Sequence, residues 1–572
     1  MTVAKPLQRL LIGAACLLSL SNTQAQDQLL VNARVFTGDR LHPYAQAVAI
    51  HDDKIVAVGN QADIAARVAT DAKVVDLQGR TLLPGLIDSH EHVVYGGTGL
   101  LSASVEPTIT KVDQVVKVAL KALQEGKSMR GDVLAVTNIP LGIWSQQSQL
   151  NARFNSGPFA KVPVVLHGMD GHTGWGNRVL RERAGITQAF LRGLTESQRK
   201  YYGSSKDLVP NGFTVDAGWD TLQSKVPLPD AAFMLEAGRA GVNLMHELGI
   251  TSWLDALASP EILATYKALS DRNELKSHVA AFVQVKAEDV ERGDPLAQVQ
   301  ALRQQYANVP GLTVPGIKIF MDGVVEYPSH SAAMSEPYKK TGTMGDLLFS
   351  PEQFAQVATQ ADKAGLVVHV HAIGDRAVHE TLNGFAAVRQ ANGNSGLPDT
   401  ITHLQFVKPT DIPRFKSLGV IASMQLFWAE AGPDTIDLIE PYVDPAIFPW
   451  QYPARSLLNA GALIAGASDW SVSTPNVFEA IYQAETRKGP KGVLNAGEDM
   501  PRETMLYAYT INAAQALSQQ EHIGSIEPGK QADLTLVDRD VLTVNPEQLK
   551  ATKVLGTMVG GEWVYRAEGA KL

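Results

Sequence analysis

Eight short apolar runs, each followed by a helical stretch, constrain this chain more than any other feature. They read GLIDSHEH from Gly85, ITSWLDA from Ile250, HVAAFVQV from His278, GIKIFMDG from Gly316, LVVHVHA from Leu366, TITHLQF from Thr400, GVIASMQ from Gly419 and ALIAGASD from Ala462. Strands buried on both faces read as continuous apolar runs rather than alternating ones, and strand–helix units in series build parallel sheets. Eight such units predict an α/β fold, a (β/α)8 TIM-like barrel.

More than 150 residues separate His92 from Ile250, far more than one unit needs. This stretch, about 93–249, reads as an insertion that caps the barrel mouth, with candidate strands DVLAVTN and VPVVLHG. The two ends of the chain differ in character. LLVNARVFTG, AVAIHDDKIVAVG and KVVDLQGRTLLPG near the start, and LTLVD and VLGTMVGGEWVYR near the end, alternate apolar and polar residues between glycines. A small β-sandwich, antiparallel and built from residues 26–83 and 519–572, is expected to enclose the barrel at 84–518.

Lys5 and Arg9 precede an apolar run over residues 10–20, and Thr23-Gln24-Ala25 follows as a small-x-small signal. The run is about half the roughly 20 residues a membrane anchor needs. Residues 1–25 therefore read as a secretory signal peptide cleaved after Ala25, which predicts a periplasmic or secreted protein. Cleavage removes Cys16, the single cysteine, so the mature chain can form no disulfide. No further segment reads as membrane-spanning, and no interface for a homo-oligomer is identifiable. A net charge of −9 without any basic run argues against nucleic acid as a partner. A small molecule is the expected one.

His90 and His92 form an H-x-H at the end of the first strand. Side chains two apart share a face, so both imidazoles can reach one metal ion while Glu91 points away. Lys318, His371, His403 and Asp469 fall at the ends of four later strands, on the rim where barrel active sites sit. Any one of them could be an ordinary hydrogen-bonded residue, and Asp469 could cap a helix. Together they predict a metal centre. His369 shares a face with His371 and is expected one layer deeper, hydrogen-bonded rather than metal-bound. His246 and Glu247 read as surface residues, and Trp144, Trp175, Trp428 and Trp470 as candidates for an aromatic pocket, with Trp470 favoured.

LPGLIDSHEH, MDGHTGWGN, GIKIFMDG, HAIGDRA, SMQ, GASDW, AYTINAAQAL and GSIEPGKQADLTLVD occur in an order that resembles the amidohydrolase superfamily, in the branch that includes N-substituted formamide deformylases. The resemblance implies that His90, His92, Lys318, His371, His403 and Asp469 bind one or two zinc ions, with Lys318 carbamylated as a bridge. It implies that Asp469 is the catalytic base and then acid, while zinc activates water and polarises the scissile carbonyl. It also suggests His172 and Asn177, in the insertion, as substrate-binding residues. His330 stands where relatives usually have an Arg-Thr pair and, with Trp470, is a further candidate for substrate contact. Asp375 and Arg376 read as an ion pair, and Asp322 as a loop-ordering carboxylate. Glu91 and Thr402 depart from the usual pattern without removing a ligand.

The expected activity is hydrolysis of a C–N bond in a small amide, formamide or N-acyl compound. The rivals are a non-catalytic exported binding or regulatory protein on the same fold, and an ester or lactone hydrolase with the same metal.

Overall fold

The computed structural model describes residues 27–65, 72–106 and 108–572. The expected cleavage site and leader lie outside these residues. All eight apolar runs form strands: β1 (Leu86–Glu91), β2 (Ile250–Asp255), β3 (His278–Gln284), β4 (Leu312–Phe320), β5 (Val367–Ala372), β6 (Thr400–His403), β7 (Ile421–Met424) and β8 (Ile464–Gly466). They pair in sequence order, every pair parallel, in one eight-stranded sheet.

The sheet curls into a barrel whose seam between β8 and β1 is tied at the functional end. There Ser89 Oγ donates to Gly466 O (2.9 Å), Asp469 N to His90 O (2.8 Å) and His92 N to Trp470 O (2.9 Å). Ile87, Leu254, Phe282, Val367, Ile421 and Ala465 form one buried cluster contributed by six of the strands. Polar side chains begin where this apolar filling ends. Outside, the helices Val93–Leu100 and Ala231–Glu247 approach to backbone contact, because a Cβ on Gly97 would lie 1.9 Å from Ala237 O and one on Gly241 2.4 Å from Val93 O.

Between those two helices the insertion builds a seven-stranded sheet of its own. Val133–Ile139 and Val164–Gly168 are the strands expected there; the others are Ala103–Ser104, Met129–Arg130, Thr173–Gly176, Tyr202–Ser204 and Pro210–Val215. It carries a separate apolar cluster that includes Trp144, Trp175, Phe154 and Phe159, so these tryptophans are core rather than pocket.

The terminal unit consists of two sheets, of four and six strands, packed through Leu30, Val48, Ile50, Leu82, Leu534, Leu536 and Met558. Both ends of the chain contribute, since Leu534–Val537 pairs antiparallel with Thr81–Pro84. The expectation of a purely antiparallel unit is corrected: Gln28–Val31 pairs parallel with Lys73–Asp76, and Arg34–Phe36 with Thr81–Pro84. Each pair is joined through long intervening chain rather than a hairpin, which leaves parallel alignment available. Among the described residues no helix is long and apolar enough to cross a membrane.

Candidate active site

His90 and His92 leave β1 on the same face and converge on one carboxylate. Their Nε2 atoms lie 3.3 and 3.1 Å from Asp469 Oδ1, and the three residues offer ligand atoms all within 4.8 Å of one another. The β6 histidine closes the group: the His403 ring is 4.9 Å from that of His90 and 4.5 Å from that of His371, the penultimate residue of β5. Backbone strain collects here. His403 (φ 75°) and Asp469 (φ 55°) adopt the left-handed region that non-glycine residues seldom enter, a cost borne chiefly where function fixes the geometry. The helix after β8 starts only at Val477 and is capped by Asn476, so Asp469 is free of capping duty.

Burial holds the imidazoles of His90, His371 and His403 well below their ordinary pKa, with Lys318 and neighbouring histidines adding to the effect. They are neutral, and oxygen acceptors set the tautomers of two of them: His403 Nδ1–H donates to Gln425 Oε1 (3.1 Å) and His371 Nε2–H to Gly323 O (3.0 Å), while His90 Nδ1 is hydrogen-bonded with His369 Nε2 (2.6 Å). Each ring therefore keeps one bare nitrogen, which a metal ligand requires. Asp469 is also buried, which raises its pKa, but the His92 hydrogen bond and the electrostatic field of the neighbouring histidines and Lys318 outweigh this and hold its carboxyl below the usual range.

Lys318 is fully buried, and among the described residues its Nζ has no hydrogen-bond partner; it sits 4.8 Å from the centre of the Phe320 ring. Desolvation pulls its pKa down to about 7. A buried amine without a partner is costly as an ammonium, and it fits a lysine whose working form is not a free cation. Four imidazoles and a carboxylate, nitrogen and oxygen donors of borderline softness, fit a divalent transition metal.

The insertion adds His172. Its ring packs 5.2 Å from that of His371, and its Nδ1 bonds Asp216 Oδ1 at 2.8 Å. Asp216, itself at φ 46°, also donates its backbone N–H to His172 O (2.9 Å). Burial would lower the imidazole pKa, but Asp216 and Asp170 reverse this and raise it to about 9. Trp428 stacks on His403, with ring centres 5.6 Å apart and planes 12° from parallel.

Three of the expected substrate contacts are placed elsewhere. Asn177 is completely buried: it caps the helix Arg178–Arg183 through Leu180 N and donates to the carbonyls of Val162, Phe159 and Phe154. Every polar atom of its side chain is committed to the insertion's own fold. His330 is walled in by Tyr327, Tyr338 and Tyr442 and stacked on Tyr338 at 4.6 Å. Trp470 is 7% exposed and lies against the helix Val93–Leu100, where a Cβ on Gly96 would come within 2.6 Å of its ring. Of these tryptophans, Trp428 is the one stacked on a site imidazole. His246 is buried as well, at 5% exposure, with Nε2 bonded to Lys276 O and Ser277 Oγ, whereas Glu247 is exposed.

Asp322 orders its loop through bonds from Ala333 N, Ile373 N and Gly374 N. Asp375 and Arg376 hold separate backbone groups, Ser335 N and Gly345 O, rather than each other. The sequence singled out neither Gln425 nor Asp216; each is an ordinary residue until the fold sets it beside an imidazole.

A sequence profile of the amidohydrolase family matches residues 73–565. The chain belongs to that family. It is accordingly a hydrolase of carbon–nitrogen bonds, and its cluster of His90, His92 and Asp469 could hold a metal ion. It is 24% identical to the N-substituted formamide deformylase of Arthrobacter pascens, over 96% of this chain and 100% of that one. It is 27% identical to the protein LONG AFTER FAR-RED 3 of Arabidopsis thaliana, over 94% of this chain and 91% of the relative. Among solved structures, an uncharacterized metal-dependent hydrolase from Pyrococcus horikoshii shares the fold, with a TM-score of 0.70 at 20% identity, covering 91% of this chain and 99% of the other.

Proposed function

We propose that this amidohydrolase is an exported zinc enzyme that hydrolyses a formamide or N-acyl amide of a small molecule. The observation that carries the reading is the convergence of His90 and His92 on Asp469, beside bare-nitrogen imidazoles and an unpartnered lysine. His90, His92 and Asp469 would hold one zinc ion, His371 and His403 a second, and a carbamate on Lys318 would join them. The lysine suits this, since an amine near neutrality is a nucleophile toward carbon dioxide and the product offers two anionic oxygens.

Bound zinc supplies an activated water and a polarised carbonyl. Asp469 Oδ1, beside both β1 imidazoles, takes the proton of the attacking water and returns it to the leaving nitrogen. His172 reaches in from the insertion, anchored by Asp216, to meet the substrate, and Trp428 gives its acyl or N-substituent an apolar wall. Export to the periplasm or beyond rests on Lys5, Arg9 and the apolar run at residues 10–20.

The test is hydrolysis of a panel of formamides, N-acyl amino acids, esters and lactones by protein loaded with zinc and by protein stripped with a chelator. Zinc-dependent release of amine supports the reading. Turnover confined to esters or lactones, or turnover indifferent to chelation, overturns it.

A further inference from the structure

Below the rim of the barrel, two fully buried histidines from opposite strands touch. His90 Nδ1 and His369 Nε2 are 2.6 Å apart, and His369 Nδ1 in turn bonds Thr400 Oγ1 on β6. His369 and His90 are 0% and 1% exposed, and Phe282 packs edge-on against the His369 ring at 5.6 Å. We propose that His369 is a positioning residue for the metal centre: together with Thr400 it forms a relay that fixes the tautomer and orientation of His90. The inference rests on the metal site assigned above and adds to it a residue outside the ligand set.

The direction of the relay follows from what His90 has to do. To offer Nε2 to a cation, the imidazole must carry its hydrogen on Nδ1, so the 2.6 Å bond runs from His90 to His369. His369 then accepts at Nε2, carries its own hydrogen on Nδ1 and donates it to Thr400 Oγ1. The opposite sense would put hydrogen on His90 Nε2 and aim an N–H at the metal position, 3.3 Å from Asp469 Oδ1. An apolar residue at 369 would leave a buried N–H unsatisfied and the ring free to turn over.

The acceptor is also unusual in kind. Metal-binding histidines commonly donate to a carboxylate or a backbone carbonyl. Here His90 donates to a second imidazole and His403 to the Gln425 amide, so these two ligand rings rest on neutral side chains. Neutral acceptors add less electron density to the ligand than a carboxylate, which leaves a bound cation more electrophilic.

The experiment measures zinc affinity by competition with a chromogenic chelator on wild type, His369→Ala, His369→Gln and Thr400→Val, all as full mature protein. Glutamine can accept from His90 through Oε1 and donate to Thr400 through Nε2, so it should restore what alanine removes. Loss of a partner behind a ligand typically weakens metal binding by about 10–100-fold. The expected order is wild type, then His369→Gln within a few-fold, Thr400→Val weaker, and His369→Ala weakest. The cobalt-substituted forms provide a second readout, with the ligand-field spectrum altered in His369→Ala and recovered in His369→Gln. Unfolding of the chelated proteins shows whether each variant is folded before metal is added. Folded His369→Ala that binds zinc as tightly as wild type, with an unchanged cobalt spectrum, overturns the relay. A wild type that binds no metal overturns the metal centre itself, and the relay with it.

Discussion

Replacing Asn177 by alanine separates the two roles open to that residue. Its side chain accepts from Val164 N (3.0 Å) and Leu180 N (3.2 Å) and donates to Val162 O (2.8 Å), Phe159 O (3.3 Å) and Phe154 O (3.2 Å). An amide has only two N–H groups, so about four full hydrogen bonds are lost. At a net value of about 1 kcal/mol each, with two buried backbone N–H groups left unsatisfied, the cost is roughly 4 kcal/mol. Because the insertion has its own core, the loss should fall there first, as local opening rather than global unfolding. Native-state proteolysis reads this directly: cleavage within the insertion should accelerate by roughly 100-fold or more if opening is fast relative to cutting. At low temperature, where the variant stays closed, KM should stay within about twofold of wild type. Unchanged proteolysis together with a KM raised by tenfold would refute the structural assignment and return Asn177 to substrate binding.

Other expectations concern the site and its supports. Lys318→Met replaces an unpartnered buried amine with an apolar chain of similar length, so the chelated protein should unfold no earlier than wild type, while bound zinc falls sharply; calorimetry and metal analysis on the same samples check both. Asp216→Ala removes a charged partner of His172, a bond of about 1.5–3 kcal/mol, and should lower kcat/KM by roughly 10- to 100-fold with zinc content unchanged. Gly96→Ala drives a methyl into the Trp470 ring next to Asp469, so steady-state kinetics should show kcat falling more than KM rises. Burial holds His246 down to about 4, below its unfolded value near 6.5, so the unfolded chain binds the extra proton as pH falls through that window. Stability should drop by about 3 kcal/mol between those pH values, and His246→Asn should flatten that part of the unfolding profile.

The barrel was legible because each parallel strand, buried on both faces, leaves an uninterrupted apolar run, and all eight runs became strands. The convergence of His90, His92, His371, His403 and Asp469 was legible for a related reason: a strand end points into the mouth, so residue type and position together imply direction. Side chains on loops and in the insertion carry no such implication. Asn177 and His330 have suitable chemistry, yet one is consumed by capping and the other stacked among tyrosines. Trp470 adjoins Asp469 in sequence but turns toward Gly96, while Trp428, far away in sequence, arrives on His403. His246 ends a helix and read as exposed; the chain at Lys276 and Ser277 covers it, and the C-terminal Thr557 bonds its carbonyl, contacts distant in sequence. The parallel pairings of the terminal unit were hidden similarly, since alternation reports which face is buried but not the direction of the neighbouring strand.

The central claim is that His90, His92 and Asp469 anchor a hydrolytic zinc site, and metal analysis paired with turnover tests it most directly. Purified mature wild type and Asp469→Asn would be assayed for bound zinc and for hydrolysis of formamides and N-acyl amino acids. The account predicts between about one and two zinc ions per wild-type chain, retained at least in part by Asp469→Asn, with turnover in the wild type alone. A wild type without bound metal, or an Asp469→Asn variant as active as wild type, would contradict it.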